Sequence, residues 1–133
     1  MTKEILCDKA QEAMMKAYAP SSNCKVGAAL LAKSGKVYLG CNIENASFSP
    51  TICAERTAFA AAIAAGEREF LGIAVCGGKN GVIDDAFYPC GVCRQVMREF
   101  CRDDFPVYVL KKDIIISLTL GELLPYSFSN EVM

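Results

Sequence analysis

Apolar and polar positions along the chain predict helices interleaved with strands. Residues 2–18 carry apolar side chains at helical spacing, and Pro20 closes the segment. Two apolar runs, 26–32 and 37–42, are joined by KSGK, which predicts a hairpin whose glycine supplies the turn geometry. Residues 43–50 are small and polar and end in proline, so we expect a loop there.

The second half of the chain continues this alternation. An alanine-rich helix is predicted over 53–65, because Gly66 stands at a typical C-terminal capping position. The remaining predicted elements are a buried strand over 70–78, a helix over 90–102, strands over 106–112 and 113–120, and a helical turn over 121–125. Strands interleaved with helices predict an α/β fold, a three-layer α/β/α architecture with a mixed central sheet of about five strands.

Length and charge narrow the possible classes of protein. A chain of 133 residues predicts a single domain, 1–133, large enough to bury a core. The longest apolar run, AFAAAIAAG, is too short to cross a bilayer, and the first residues lack the features of a signal peptide, so a cytoplasmic protein is expected. Fourteen basic and fifteen acidic residues offer no surface for a polyanion, so neither a nucleic acid polymer nor a membrane is an expected partner.

Cysteine usage indicates metal chemistry. The chain has eight cysteines and no histidine, which removes the commonest metal ligand and every Ser-His or Cys-His arrangement. Without an export signal, reduced thiols, some of them binding metal, fit better than a disulfide framework. Five of the cysteines are predicted to be small buried apolar residues: Cys7, Cys24, Cys41, Cys76 and Cys101.

Two motifs bring the other cysteines to helix starts. In PCGVCRQ, Cys90 and Cys93 are three residues apart at the opening of a predicted helix, which is zinc-ligand spacing. In ICAER, Cys53 also opens a helix, and a helix N-terminus stabilises a thiolate. The pair in PCGVCRQ alone is also compatible with a redox pair or half of a structural zinc site. Together the motifs predict one Zn²⁺ held by three cysteines.

The residues after Cys53 bear on whether such a site is catalytic. A structural zinc site is closed by four protein ligands, whereas a catalytic site keeps one position for water. Glu55 is predicted to carry protons beside the metal, and Arg56 to hydrogen-bond the cysteine sulfurs and offset their negative charge. The alternative is a non-enzymatic zinc-stabilised domain, closed by a fourth cysteine such as Cys24.

CNIENA, CAERTA and PCGVCRQ, in this order and spacing, closely resemble the cytidine deaminases, specifically the small homotetrameric class with a three-cysteine zinc site. The resemblance runs from YAPSSNCKVGAALL to ELLPYSFS, nearly the whole chain. It implies zinc-dependent hydrolytic deamination of cytidine and 2′-deoxycytidine in pyrimidine salvage, with uridine, 2′-deoxyuridine and ammonia as products. It also implies Glu55 as the catalytic proton carrier and a homotetramer with shared active sites.

The same resemblance suggests residues that bind the nucleoside. Asn42 and Glu44 look like the pair that hydrogen-bonds a ribose hydroxyl, and their spacing at a strand end would place both side chains on one side. Ala54 corresponds to a backbone contact to the base. Phe128 resembles an aromatic residue that family members extend into a neighbouring subunit's site.

Two positions depart from the family pattern. Cys24 stands where the family usually has a phenylalanine packed on the substrate, and Phe48 where it commonly has tyrosine. Losing an aromatic ring removes roughly 1 kcal/mol of stacking. Cys24 is nevertheless predicted to be a substrate-binding position. Because the ring is missing, deamination of a modified cytosine nucleoside or a nucleoside antibiotic is an alternative function. Polynucleotide editing is disfavoured by the charge balance.

Overall fold

The computed structural model describes residues 1–133. The helices are α1 (Lys3–Met14), α2 (Ala54–Ala64), α3 (Gly91–Phe100) and α4 (Leu120–Leu123). The strands are β1 (Cys24–Ala32), β2 (Val37–Cys41), β3 (Phe70–Lys79), β4 (Pro106–Lys111) and β5 (Ile114–Thr119), and a 3₁₀ turn, Asn130–Val132, ends the chain. Every predicted element forms, with shifted ends. None of the helices combines the length and apolar character needed to span a bilayer.

The five strands form one mixed sheet in the order β2-β1-β3-β4-β5. Only β3 and β4 run parallel, and the other three pairings are antiparallel. The predicted hairpin joins β1 to β2, and Gly35 in its turn has a φ of 93°, a conformation that glycine adopts without steric cost. The predicted mixed sheet is confirmed.

Helices cover both faces of this sheet. Along β1 successive side chains point to opposite faces: Ala28 and Leu30 pack in one core with residues of α2 and α3, while Ala29 packs in a second core with α1. The three layers predicted from the sequence are therefore confirmed. The layer that carries α2 and α3 holds both helices whose first residues were predicted to bind metal.

A glycine lets α2 lie close to the sheet. A side chain on Gly40 of β2 would overlap the carbonyl oxygen of Ala54 and the amide nitrogen of Ala58. The Thr57 hydroxyl donates to the Cys41 carbonyl at 2.9 Å, which ties the first turn of α2 to the end of β2. These contacts fix where α2 begins.

The first helix is shorter than predicted. It ends at Met14 rather than continuing to residue 18. The reason is that Tyr18 joins the chain that follows β2: its amide donates to the Asn42 carbonyl at 3.0 Å, and its carbonyl accepts from the Glu44 amide at 2.8 Å. These bonds bring the loop after α1 next to the loop after β2.

Candidate active site

Two helix starts direct cysteines toward each other. Cys53 and Cys90 are the N-cap residues of α2 and α3, both with extended backbone, and neither sulfur caps its own helix. Cys93 lies in the first turn of α3 and is buried. Because α2 and α3 lie on the same face of the sheet, the sulfurs of both helices can meet.

The three sulfur atoms form one cluster. The Sγ atoms of Cys53 and Cys90 are 3.7 Å apart, those of Cys90 and Cys93 are 3.4 Å apart, and all three lie within 4.8 Å of one another. Zinc bound by thiolates at about 2.3 Å in a tetrahedral arrangement separates two sulfurs by about 3.8 Å. The cluster therefore fits a zinc ion. Cys24 does not belong to it, so the structure does not provide the fourth cysteine of a closed structural site.

The environment of the cluster favours thiolate at Cys53. A hydrogen bond from Cys93 is the main reason that the pKa of Cys53 is lowered to about 5, with smaller contributions from Arg56 and Cys90 that act against burial. The pKa of the donating Cys93 thiol is raised, mainly by the same hydrogen bond and by burial. A divalent cation at this position would favour the deprotonated form of all three sulfurs.

Arg56 lies beside the sulfurs, at the position predicted for a charge-compensating residue. Its Nη2 donates to the Cys53 Sγ at 3.5 Å, and this interaction raises the pKa of Arg56. Its Nε is buried and has no hydrogen-bond partner in the chain. Arg56 thus places a fixed positive charge against the sulfur cluster.

Glu55 is a buried carboxyl in the first turn of α2. Only 4% of it is exposed. Burial is the main cause that raises the pKa of Glu55 to about 7, from an ordinary value of 4.5, and the nearby Cys53 thiolate adds to the effect. A carboxyl with a pKa near neutrality can both accept and donate a proton under physiological conditions. A carboxyl of this kind therefore lies next to the cluster.

Asn42 and Glu44 contact the protein rather than each other. The buried Asn42 amide accepts from the Val26 amide and donates to the Cys24 carbonyl, both at 2.8 Å. The Glu44 carboxylate accepts from the amides of Ser21 and Ser22 at 2.8 and 3.1 Å and from the Ser22 hydroxyl. The Ser22 hydroxyl is the main reason that the pKa of Glu44 is lowered. Both side chains therefore fasten residues 21–26.

This fastening of residues 21–26 was not predicted. The sequence identified Asn42 and Glu44 only as a pair that shares a ligand hydroxyl, and it gave no role to Ser21 or Ser22. The contacts join residues 16 to 23 positions apart, a separation at which periodicity carries no information. A serine pair before a strand is a weak signal for such a contact, because serines in turns are common.

The other predicted substrate residues lie on separate elements. Ala54 is buried as the first residue of α2, and Cys24 is half-buried as the first residue of β1. Phe128 is 63% exposed in the tail, and its backbone carbonyl accepts from the side-chain amide of Gln95, a residue of α3, at 3.0 Å. Phe48 is 72% exposed in the loop before α2. The tail therefore lies along α3, the helix that carries Cys93.

The remaining cysteines fall into two groups. Cys7, Cys76 and Cys101 are buried, as predicted, whereas Cys24 and Cys41 are only half-buried. For these two the prediction of full burial is wrong, because both stand at strand ends next to loops.

The cluster is open to the outside on one side. Cys90 itself is exposed. A site for a small molecule normally buries most of its ligand, so a single chain encloses this one incompletely.

Known proteins resemble this chain over nearly its full length. A family model described as the cytidine and deoxycytidylate deaminase zinc-binding region matches residues 1–109. A cytidine deaminase from Sporosarcina psychrophila is 47% identical over 133 residues, covering 98% of this chain and 94% of the relative. One from Halalkalibacterium halodurans is 45% identical over 135 residues, covering 100% and 98%. The crystal structure of cytidine deaminase from Burkholderia pseudomallei superposes with a TM-score of 0.88 at 45% identity, covering 96% and 100%.

Proposed function

This chain belongs to the cytidine and deoxycytidylate deaminase family, and we propose that it converts cytidine and 2′-deoxycytidine to uridine and 2′-deoxyuridine by hydrolysis, with release of ammonia. The observation that carries the proposal is the three-sulfur cluster with a buried carboxyl beside it. We propose that residues 1–133 act as one deaminase domain.

The metal of this reaction is zinc, held by Cys53, Cys90 and Cys93. Sulfur separations of 3.4 and 3.7 Å support this assignment. When bound, zinc supplies Lewis acidity at a coordination position left open by the protein. Arg56 holds the Cys53 sulfur by a hydrogen bond and offsets the negative charge of the thiolates.

Glu55 moves the protons. Hydrolysis of the amino group requires that the attacking water give up two protons in all, that the ring nitrogen gain one of them, and that the leaving amino group gain the other. Glu55 accepts each proton from the water-derived oxygen in turn, and it delivers the first to the ring nitrogen and the second to the leaving amino group. Its burial supports this role, because a carboxyl whose pKa is about 7 is protonated and ionised in comparable amounts at neutral pH. Ala54 precedes it at the helix start, and we propose that its backbone contacts the base.

The sugar is bound by Asn42 and Glu44. Each amide has four hydrogen-bonding positions, and the Asn42 side chain uses two of them within the chain. Glu44 accepts from two backbone amides and one hydroxyl, so its carboxylate is held ionised and in a fixed orientation. Such a carboxylate can accept one more hydrogen bond, from a sugar hydroxyl. Cys24 lies next to this pair, because its carbonyl accepts a hydrogen bond from the Asn42 side chain.

Replacing Glu44 with Gln is expected to raise the KM for cytidine by roughly 10- to 100-fold, because a hydrogen bond to a charged group contributes about 1.5–3 kcal/mol. With 2′,3′-dideoxycytidine, which lacks the 2′- and 3′-hydroxyls, the same substitution should change the KM much less. Steady-state kinetics on both nucleosides measures the difference, with Glu69→Gln, an exposed carboxylate paired with Lys33, as the matched control. An equal loss on both substrates would show that Glu44 acts only by fastening residues 21–26.

We propose further that four chains form a homotetramer in which each active site is shared. Phe128 and Cys90 are both exposed in a single chain. The Phe128 ring of a neighbouring chain could cover the side of the site where Cys90 lies, and this supports the shared arrangement. We also propose that the enzyme acts in the cytoplasm, in pyrimidine salvage, with free nucleosides as substrates. Light scattering should give a mass four times the 14.4 kDa of the chain. A monomer with full activity would contradict the shared site.

The substrate assignment is tested by comparing kcat/KM for cytidine and 2′-deoxycytidine with that for modified cytosine nucleosides. Cys24 stands where the family usually has a phenylalanine, and this departure from the family pattern makes the comparison necessary. We expect the two unmodified nucleosides to be the better substrates. Negligible turnover of both, together with rapid deamination of a modified nucleoside, would contradict the proposal.

A further inference from the structure

Arg94 makes an unusual set of contacts next to the sulfur cluster. It follows Cys93 in the first turn of α3 and is half-buried. Its Nε donates to the Pro89 carbonyl at 2.7 Å, and its Nη1 donates to the Leu123 carbonyl at 2.6 Å. One guanidinium therefore joins the segment before α3 to the end of α4. The proposed reaction gives this side chain no role.

Both peptide groups that flank Cys90 are held by hydrogen bonds, and the Arg94 side chain supplies one of them. The Pro89 carbonyl belongs to the peptide before Cys90, and the Arg94 side chain donates to it. The Cys90 carbonyl belongs to the peptide after it, and it accepts the ordinary backbone bond of α3 from the amide of residue 94 at 3.0 Å. Because the two flanking peptides define φ and ψ of a residue, fixing both of them fixes the direction in which its side chain leaves the backbone. The Arg94 side chain thereby holds the one flanking peptide that the helix's own bond does not hold, and so helps to set the direction of the Cys90 Cα–Cβ bond.

Cys90 depends on such support more than the other two cysteines do. Cys93 is buried in the core and Cys53 is half-buried, whereas Cys90 is exposed. The Cys90 sulfur also makes no capping bond to α3. Packing therefore restrains the Cys90 side chain least of the three, so its position depends more on the hydrogen bonds to its backbone.

The Nη1 end of the Arg94 guanidinium is hydrogen-bonded to α4, a helix that packs in the core. Leu123 is the last residue of α4, a helix that begins with a capping box between Thr119 and Glu122. Leu120 of the same helix is fully buried in the core. Arginine suits this position because its planar group donates in several fixed directions, whereas the ammonium of lysine is a compact charge at the end of a flexible chain.

We propose that Arg94 is a positioning residue for the zinc site. Its side chain orients Cys90 by fixing the peptide before it, and it fixes that peptide against the core through α4. The inference rests on the proposed binding of zinc by Cys53, Cys90 and Cys93, and it adds a residue that contacts neither the metal nor the substrate. Residues that orient metal ligands typically contribute 10- to 100-fold in metal affinity.

Competition with a chromophoric zinc chelator tests the proposal. Arg94→Gln removes the guanidinium and its bonds to the Pro89 and Leu123 carbonyls. We expect the zinc affinity of this variant to fall by about 10- to 100-fold. Arg94→Lys keeps the charge and reaches at most one of the two carbonyls, so it should also bind zinc more weakly than the unsubstituted protein. Circular dichroism establishes that each variant is folded, and if Arg94→Gln fails to fold, the affinity of Arg94→Lys decides.

Arg68→Gln is the matched control. Arg68 also donates to two backbone carbonyls, those of Ile63 and Glu67, at 3.0 and 2.8 Å, but at the C-terminal end of α2. Its substitution removes the same kind of bonds and should leave zinc affinity unchanged. An equal loss in Arg68→Gln and Arg94→Gln would overturn the proposal, since it would reflect general destabilisation.

Cobalt substitution provides a spectroscopic readout. Because the visible absorption of Co²⁺ depends on ligand geometry, the cobalt-loaded Arg94→Gln protein should have a shifted spectrum, and the Arg68→Gln protein should not. A folded Arg94→Gln protein with unchanged zinc affinity and an unchanged cobalt spectrum would overturn the proposal, as would complete recovery in Arg94→Lys. Failure of the zinc site itself would be seen differently, as absence of zinc binding in the unsubstituted protein.

Discussion

Glu55→Gln is expected to lower kcat/KM for cytidine by about 10²- to 10⁴-fold, the range that general acid–base catalysis contributes. Glutamine has nearly the same shape as glutamate but cannot accept a proton from water or deliver one to the ring nitrogen. Glu55 lies outside the group of sulfur ligands, so the variant should retain its zinc. Steady-state kinetics, with the metal content measured on the same sample, tests both expectations.

The control for this variant is Glu69→Gln. Glu69 is an exposed glutamate whose side chain is paired with Lys33 at 3.6 Å, and the loss of its charge should leave both zinc and activity unchanged. Two results would contradict the assigned role of Glu55: activity within a few-fold of the unsubstituted enzyme, or loss of zinc from the Glu55→Gln protein. The second would mean that the carboxyl helps to hold the metal.

Cys90→Ala is expected to abolish deamination at stoichiometric zinc and to weaken zinc binding more than 100-fold. A residue that only orients a ligand contributes 10- to 100-fold, so removing one of three direct ligands should exceed that range. Cys90 is the suitable ligand to remove because it is exposed, and truncating it leaves no cavity in the core. Loss of zinc can then be separated from loss of the fold.

Cys41→Ala provides the comparison for this experiment. Cys41 is half-buried at the end of β2, and its sulfur donates a hydrogen bond to the Lys16 carbonyl at 3.6 Å. We expect this variant to bind one zinc and to remain active. Metal analysis after gel filtration and a chelator competition assay measure both proteins. If Cys90→Ala kept its zinc and its activity, the three-sulfur site would be wrong.

Much of the fold could be predicted because local signals agreed with it. The glycine of KSGK marks the turn between β1 and β2, and Gly66 follows the end of α2 with a φ of 98°. The continuous apolar run along β1 matches a strand that is buried on both faces of the sheet. The end of α1 was predicted four residues too late, because the bonds that Tyr18 makes to Asn42 and Glu44 join segments that are distant in sequence.

The proposed site divides in the same way. Cysteine spacing predicted which sulfurs would meet, because two of them lie on one helix turn and the third begins another helix. The engagement of Asn42 and Glu44 with residues 21–26 could not be read from spacing, and neither could the contact from Arg94 to Leu123. Such contacts depend on how loops are brought together by the sheet, and the acceptors are largely backbone carbonyls that every residue provides.

The most direct test of the three-sulfur zinc site is a zinc titration of the metal-depleted protein with cytidine present. Conversion to uridine is followed by the absorbance change that accompanies loss of the amino group, and ammonia release is measured alongside. We predict no turnover without metal, a linear rise in rate with added zinc, and a plateau at one zinc per chain. A protein that binds one zinc per chain and releases no ammonia from cytidine, or one that is equally active without zinc, would contradict the account.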